Sequence, residues 1–207
     1  MITLLLTIGC TIPFFYDPHS VDADDIQAVG KVGDILIQTE FSPQSGAIRD
    51  ATDSLFSHAG VLIDHDDDGT LEVIEAVGPV KITSVDDFLD RGSTQIRRLR
   101  DYDLHKKNID ENLEDELLSY LGMPYDLTFK WDSDEIYCTE LVWKAYARIG
   151  IEVSPLSQYS GLDLTGDRVQ ALIALRLEKG EVINSHELIV TPADFEHSPD
   201  LIMIEGD

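Results

Sequence analysis

The chain has 207 residues, 40 of them acidic and 15 basic, for a formal net charge of −25. That length suits one domain with a full core, and an apolar share of 43% is ordinary for a globular protein. The charge excludes the clustered basic surface that nucleic acid needs and disfavours polyanionic substrates and anionic membrane surfaces. Two cysteines, Cys10 and Cys138, cannot build a disulfide framework.

Residues 1–10 form an apolar run ending in Leu6-Thr7-Ile8-Gly9-Cys10. It resembles the end of a bacterial lipoprotein signal, with Cys10 as the lipidation candidate. Two features depart from that pattern: no basic residue precedes the run, and Thr7 stands where leucine is usual. A buried N-terminal strand is the other reading. The signal reading implies membrane attachment through Cys10 and a place in the cell envelope; without it the protein reads as cytoplasmic. Residues 11–31, with Pro13 and Pro18 and no sustained period, read as a connector. Residues 32–207 read as the folded domain.

Within that domain residues 34–39 read as a buried strand following Gly33, and 41–54 as a polar loop running toward the site. Residues 58–63 and 71–77 read as two strands joined by an aspartate-rich turn, with Gly78-Pro79 breaking the second. Residues 80–85 and 95–100 read as further strands, with a short helical turn at 86–89 between them. The spacing of Ile109, Leu113, Leu117, Leu118 and Leu121 predicts an amphipathic helix stopped by Gly122 and Pro124. Residues 125–133 form a loop in which Phe129 and Trp131 either line a groove or belong to the core.

Leu141, Val142, Ala145, Tyr146 and Ile149 give the next helical stripe. Asp132, Ser133 and Asp134 are its candidate caps and Gly150 its stop. Cys138 falls in its first turn, where partial positive charge and free N–H groups favour a thiolate and can hold an oxyanion. The alternative is an inert, buried cysteine. Residues 151–167 look irregular, 168–177 fit either a strand or a helix, and 188–192 and 201–204 read as late strands with a turn at 193–195 between them.

Two readings compete for the hairpin. If its strands pair antiparallel, His58 and Glu75 come nearly opposite one another. The carboxylate can then orient the imidazole and support its charged form, completing a Cys–His–carboxylate set with Cys138. Alternatively, Asp64, Asp66, Asp68, Gly69 and Glu75 match a calcium-loop pattern at every specified position. The flanking β-branched residues argue strand rather than the two helices such a loop requires. That leaves Asp64, Asp66 and Asp68 as a weak cation candidate, and no zinc-type spacing joins the histidines to the cysteines.

Gly33-Asp34-Ile35-Leu36, Ser57-His58-Ala59-Gly60, Val73-Ile74-Glu75-Ala76, Gly122-Met123-Pro124-Tyr125-Asp126, Tyr137-Cys138-Thr139-Glu140-Leu141-Val142 and Thr191-Pro192-Ala193-Asp194-Phe195 occur in this order. Together they resemble the YiiX/YebB-type permuted papain-like proteins, relatives of the NlpC-type peptidoglycan hydrolases and of lecithin:retinol acyltransferase. The resemblance spans residues 32–204. It implies an α+β fold with circularly permuted papain-like order, in which an antiparallel, small barrel-like sheet packs against the helix carrying the nucleophile. It implies Cys138 as nucleophile, His58 as general base and Glu75 as its orienter. The activity implied is a cofactor-free cysteine peptidase or amidase working through a thioester, with cell-wall peptide amides as one substrate class. The alternatives are a lipid acyl hydrolase or acyltransferase of the same fold, or a silent envelope module that binds lipid or cation. The Cys138 backbone N–H is one oxyanion donor; Tyr137 and Tyr159 are candidates for the second by residue type. Thr139 replaces the serine that such motifs often carry and keeps the hydroxyl.

Overall fold

A computed structural model of the protein describes residues 17–131, 134–177 and 182–206. The lipidation candidate Cys10 and the signal-like run therefore lie outside the described residues. The centre of the domain is a six-stranded, wholly antiparallel sheet. Its strands are Ile35–Glu40 (β1), His58–Ile63 (β2), Glu72–Ala76 (β3), Val80–Ser84 (β4), Gly92–Leu99 (β5) and Leu201–Ile204, in spatial order β4-β3-β2-β1-β5 and then the C-terminal strand. The sheet stays open, with β4 at one edge and the C-terminal strand at the other, so the barrel-like expectation reduces to an open sheet.

Alternation along the strands sends side chains to two cores. Ile35, Ile37, Val61 and Ile63 join Leu141, Val142 and Ala145 on one side, whereas Leu36, Leu62 and Val73 join Ile26 and Phe88 on the other. A strand with covered faces reads as a continuous apolar run, as Ile35-Leu36-Ile37 does. Each such fully buried aliphatic side chain contributes roughly 1.5–3 kcal/mol, so the two cores together fix the strand register that places the site.

Six helices, two of them joined by a π-helical turn, frame the site or carry it. Ala23–Val29 (α1) forms inside the expected connector, because Asp22 caps it and Ile26 is buried in the second core. Pro43–Thr52 (α2) replaces the expected loop: Ser42 accepts the Ser45 N–H and Pro43 occupies the first turn, a start signal hidden in a polar stretch. Val85–Leu89 (α3) is the expected short turn before β5. Tyr102–Asn108 (α4) runs through a π-helical turn at Ile109–Leu113 into Glu114–Leu118 (α5), so this helix starts well before its apolar stripe. Cys138–Arg148 (α6) packs against β2 and β3 and stops where Gly150 takes φ +78°.

Three further features follow α6 among the described residues. Ser157–Gln158 (β6) pairs with Leu188–Ile189 (β7) in a separate two-stranded sheet, so the 188–192 run is not part of the main one. The ambiguous 168–177 stretch is a helix, Asp167–Arg176 (α7), laid against α2, with Arg168 Nε 2.8 Å from Asp50. Pro192–Glu196 (α8) precedes the edge strand Leu201–Ile204 (β8), with Thr191 and Asp194 forming a reciprocal capping box.

Candidate active site

Cys138 is the first residue of α6 and is 3% exposed. The expected caps do not start this helix. Asp134 sits in a bend, while Asp132 and Ser133 lie outside the described residues. The helix starts later because Tyr125 and Ile136 form a parallel bridge, which keeps the chain extended up to Tyr137. The first turn is then held from three sides. The Tyr137 N–H donates to Glu140 at 3.4 Å, Glu140 pairs with Lys144 at 2.8 Å, and the Thr139 hydroxyl donates to the Val190 carbonyl at 2.7 Å. Cys138 thus presents its sulfur, and one of the N–H groups left without an intrahelical acceptor, at a fixed helix N-terminus.

His58 opens β2, and β3 brings Glu75 opposite Gly60, two residues along. The diagonal reach places His58 Nε2 2.6 Å from Glu75 Oε2, with both side chains buried. Cys138 acts on the imidazole electrostatically, and with Nε2 taken by Glu75, Nδ1 is the nitrogen left to exchange a proton with the sulfur. Burial works against a charged imidazole here. The Cys138 sulfur, Glu75 and Glu40 outweigh it and push His58 up to about 10. Gly60 is required by packing, since a Cβ there would meet Val73 at 2.5 Å and the Phe88 ring at 3.2 Å. That ring lies 5.7 Å from the imidazole.

Two residues that no sequence pattern singles out hold Glu75 together with His58. Arg91 Nη2 donates to its two oxygens at 2.7 and 2.6 Å, and the Thr83 hydroxyl donates to Oε1 at 2.7 Å. Arg91 also lies 3.3 Å from Glu40 and stacks on Phe88. Burial pushes the Glu75 carboxyl up, yet His58 and Arg91 together hold it down at about 2. Glu75 is therefore an ionised, fully engaged carboxylate. Sequence could not supply Arg91, which lies in a turn before β5, remote in the chain from both partners.

Tyr125 is brought beside Cys138 by its bridge to Ile136. Its hydroxyl accepts from Gln44 Nε2 at 3.0 Å, and it lies close enough to Cys138 for the two to influence one another electrostatically. Burial first, then the neighbouring Cys138, raise its phenol well above the ordinary value, so the proton stays on. The two tyrosines chosen by residue type are engaged elsewhere. The Tyr159 hydroxyl donates to the Phe129 carbonyl at 3.0 Å, and the Tyr137 hydroxyl accepts the Val190 N–H at 3.2 Å. The signal for Tyr125 was its place in the Gly122–Asp126 motif, but nothing local ties that motif to Cys138.

Beside the sulfur opens an apolar cleft of about 790 Å³, counting its mouth. α2 contributes Ala47 and Ile48, α7 contributes Leu172 and Ile173, and Phe129 lines it too. Trp131 does not; it packs edge-on against Trp143 at 5.4 Å.

The aspartate turn lies at the other end of the hairpin. Asp64 accepts the Gly69 N–H at 3.2 Å and Asp68 the Thr70 N–H at 2.8 Å, with Gly69 at φ +82°. Strands flank the turn, and the twelfth-position residue of the calcium pattern, Glu75, is committed to His58, Thr83 and Arg91. Among the described residues no group of three or more His, Cys, Asp or Glu side chains is arranged to hold a metal ion.

An open antiparallel sheet whose histidine strand precedes a cysteine-headed helix defines a permuted papain-like α+β protein. Residues 30–205 match the family of permuted papain-like amidase enzymes, YaeF/YiiX, C92, and the chain belongs to it. It is 33% identical over 178 residues to the uncharacterized protein YiiX of Escherichia coli K12, covering 84% of this chain and 85% of that one. The crystal structure of YiiX from Escherichia coli O157:H7, described as a metalloprotein, superposes with a TM-score of 0.77 at 34% identity, over 86% of this chain and 97% of that one. The buried residues at the present site do not fit a metal: Glu75 is closed off by an arginine and a hydroxyl, leaving His58 and Cys138 as two donors.

Proposed function

We propose that the protein is a cysteine-dependent amidase in which Cys138 is the nucleophile, His58 the general base and acid, and Glu75 the orienting carboxylate. The observation that carries this reading is His58 held at 2.6 Å by an ionised Glu75 while its other face meets the Cys138 sulfur. His58 holds the proton that Cys138 gives up, as its raised basicity requires. The thiolate attacks the substrate carbonyl carbon, and the oxygen that becomes negative is held by the Cys138 N–H and the Tyr125 O–H. Imidazolium then protonates the leaving amine, giving a thioester. Water attacks it with His58 as base, and the acid and free thiol are released.

Two substrate classes suit the family chemistry: cell-wall peptide amides and acyl lipids. The apolar cleft beside Cys138 favours an acyl group rich in CH₂ over a charged stem peptide, because each buried CH₂ contributes roughly 0.8 kcal/mol. Attachment to the envelope through Cys10 would place such an enzyme near either class. A series of p-nitrophenyl esters and matching N-acyl amides tests both parts. The expected result is a covalent acyl adduct on Cys138 by mass spectrometry and turnover that rises with acyl length. Equal hydrolysis by Cys138→Ala would end the thiol reading, and a preference for peptidoglycan fragments over every acyl amide would replace the acyl class by the peptide one.

A further inference from the structure

The Cys138 neighbourhood extends outward through a hydrogen-bond chain to the last residue of α7. Arg176 Nη2 donates to Gln44 Oε1, Gln44 Nε2 donates to the Tyr125 hydroxyl at 3.0 Å, and the Tyr125–Ile136 bridge sets that tyrosine beside the Cys138 turn, within its electrostatic reach. The direction of this chain is set by chemistry. A guanidinium has donors only, so the oxygen of Gln44 must face Arg176 and its NH₂ must face Tyr125. The NH₂ also has donors only, so the tyrosine oxygen must accept. The one hydrogen on that oxygen is then left to point at the sulfur and the reacting carbonyl. Arg176 is itself fixed: Nη1 donates to the Leu127 carbonyl at 2.9 Å and its guanidinium covers the Phe129 ring. It lines the same cleft as Cys138.

We propose that Arg176 and Gln44 are positioning residues that lock the rotation of the Tyr125 hydroxyl, so that its hydrogen is aimed at the oxyanion before substrate arrives. This rests on the thiol reading of Cys138 and deepens it. It gives α7 a role beyond walling the cleft, since α2 and α7 together set the donor. A donor that is already oriented needs no reorganisation as charge develops, which is where such hydrogen bonds gain their effect.

Gln44→Glu is the discriminating variant. The introduced carboxylate keeps the shape and still accepts from Arg176, but it cannot donate to Tyr125, so the tyrosine hydrogen turns toward it and away from Cys138. Two rates are measured on wild type and variant: acylation by p-nitrophenyl butyrate, which passes through an oxyanion, and alkylation by iodoacetamide, which does not. We expect acylation to fall by about 10²-fold, the order of loss when one oxyanion donor is removed, with alkylation within a few-fold of wild type. Adding Tyr125→Phe to Gln44→Glu should cause little further loss, and Gln44→Leu, which frees the hydroxyl without capturing it, should lose less than Gln44→Glu. Wild-type acylation by Gln44→Glu, or a parallel fall in both rates, overturns the relay while leaving Cys138 as nucleophile. A wild type that is alkylated yet never acylated overturns the amidase reading and the relay with it.

Discussion

The two ends of the β2–β3 hairpin carry the same kind of residue and use it in opposite ways. At the turn, Asp66 and Asp68 are exposed and Asp64 is half-buried, and Asp64 and Asp68 cap nearby backbone N–H groups. At the other end Glu75 is buried and bonded to an imidazole, a guanidinium and a hydroxyl. In sequence all four belong to one calcium-loop pattern. Burial and partners separate them: a carboxylate in water is screened and interchangeable, whereas one removed from water must be satisfied and then dominates its neighbours.

The largest expected effect is at the buried end. Glu75→Gln keeps the shape but removes the charge that supports the His58 imidazolium, and turnover should fall by about 10²–10⁴-fold with circular dichroism unchanged. A fall of less than tenfold would mean that position alone, without charge, serves the histidine.

Arg91→Met leaves Glu75 short of a charged partner. Hydrogen bonds to charged groups are each worth about 1.5–3 kcal/mol, and Arg91 is partly exposed, so the stability loss in urea should fall at or below the low end of that range. Turnover should fall by roughly tenfold, because each 1.4 kcal/mol is a factor of ten. If Arg91→Met matches Glu75→Gln in turnover, the arginine rather than the histidine would be what the carboxylate serves.

The pH response should be directional. His58 is raised from 6.5 to about 10, so the stability it contributes is complete below 6.5 and is lost as pH rises through about 10. Glu75 is lowered from 4.5 to about 2, so its contribution is present above 4.5 and is lost as pH falls toward 2. Amide turnover needs the imidazolium to protonate the leaving amine and should fall above about 10, whereas iodoacetamide alkylation of Cys138 should not. Parallel alkaline losses would point to unfolding instead, which a melting curve at the same pH resolves.

At the exposed end the effects should be smallest. Asp66→Asn should leave turnover within about twofold and stability within about 0.5 kcal/mol. Calorimetry with calcium at millimolar order should show no rise in melting temperature; a rise that Asp66→Asn abolishes would restore the cation reading of the turn.

What the sequence determined by itself was whatever depends on short-range pattern. The apolar run 35–37, the β-branched stretches 58–63 and 71–77, the helical stripe behind Cys138 and the Gly150 stop all follow from residue type, spacing and local backbone preference, and the family motifs added order. Spacing also missed α2, whose start is a single Ser42-Pro43 signal in a polar stretch, and α1, whose one buried residue, Ile26, gives no period. The site needed more. Antiparallel pairing could put Glu75 near His58 on paper, but Arg91, Thr83, Tyr125, Gln44 and Arg176 come from separate elements and loops. No sequence period links them, because a hydrogen bond across the fold depends on distance in space, and only the packing of α2, α6 and α7 around one end of the sheet makes that distance short. The tyrosines illustrate the point: Tyr137, Tyr159 and Tyr125 are equal as residue types, and tertiary contacts alone tie the first two hydroxyls to backbone groups and leave the third against the sulfur.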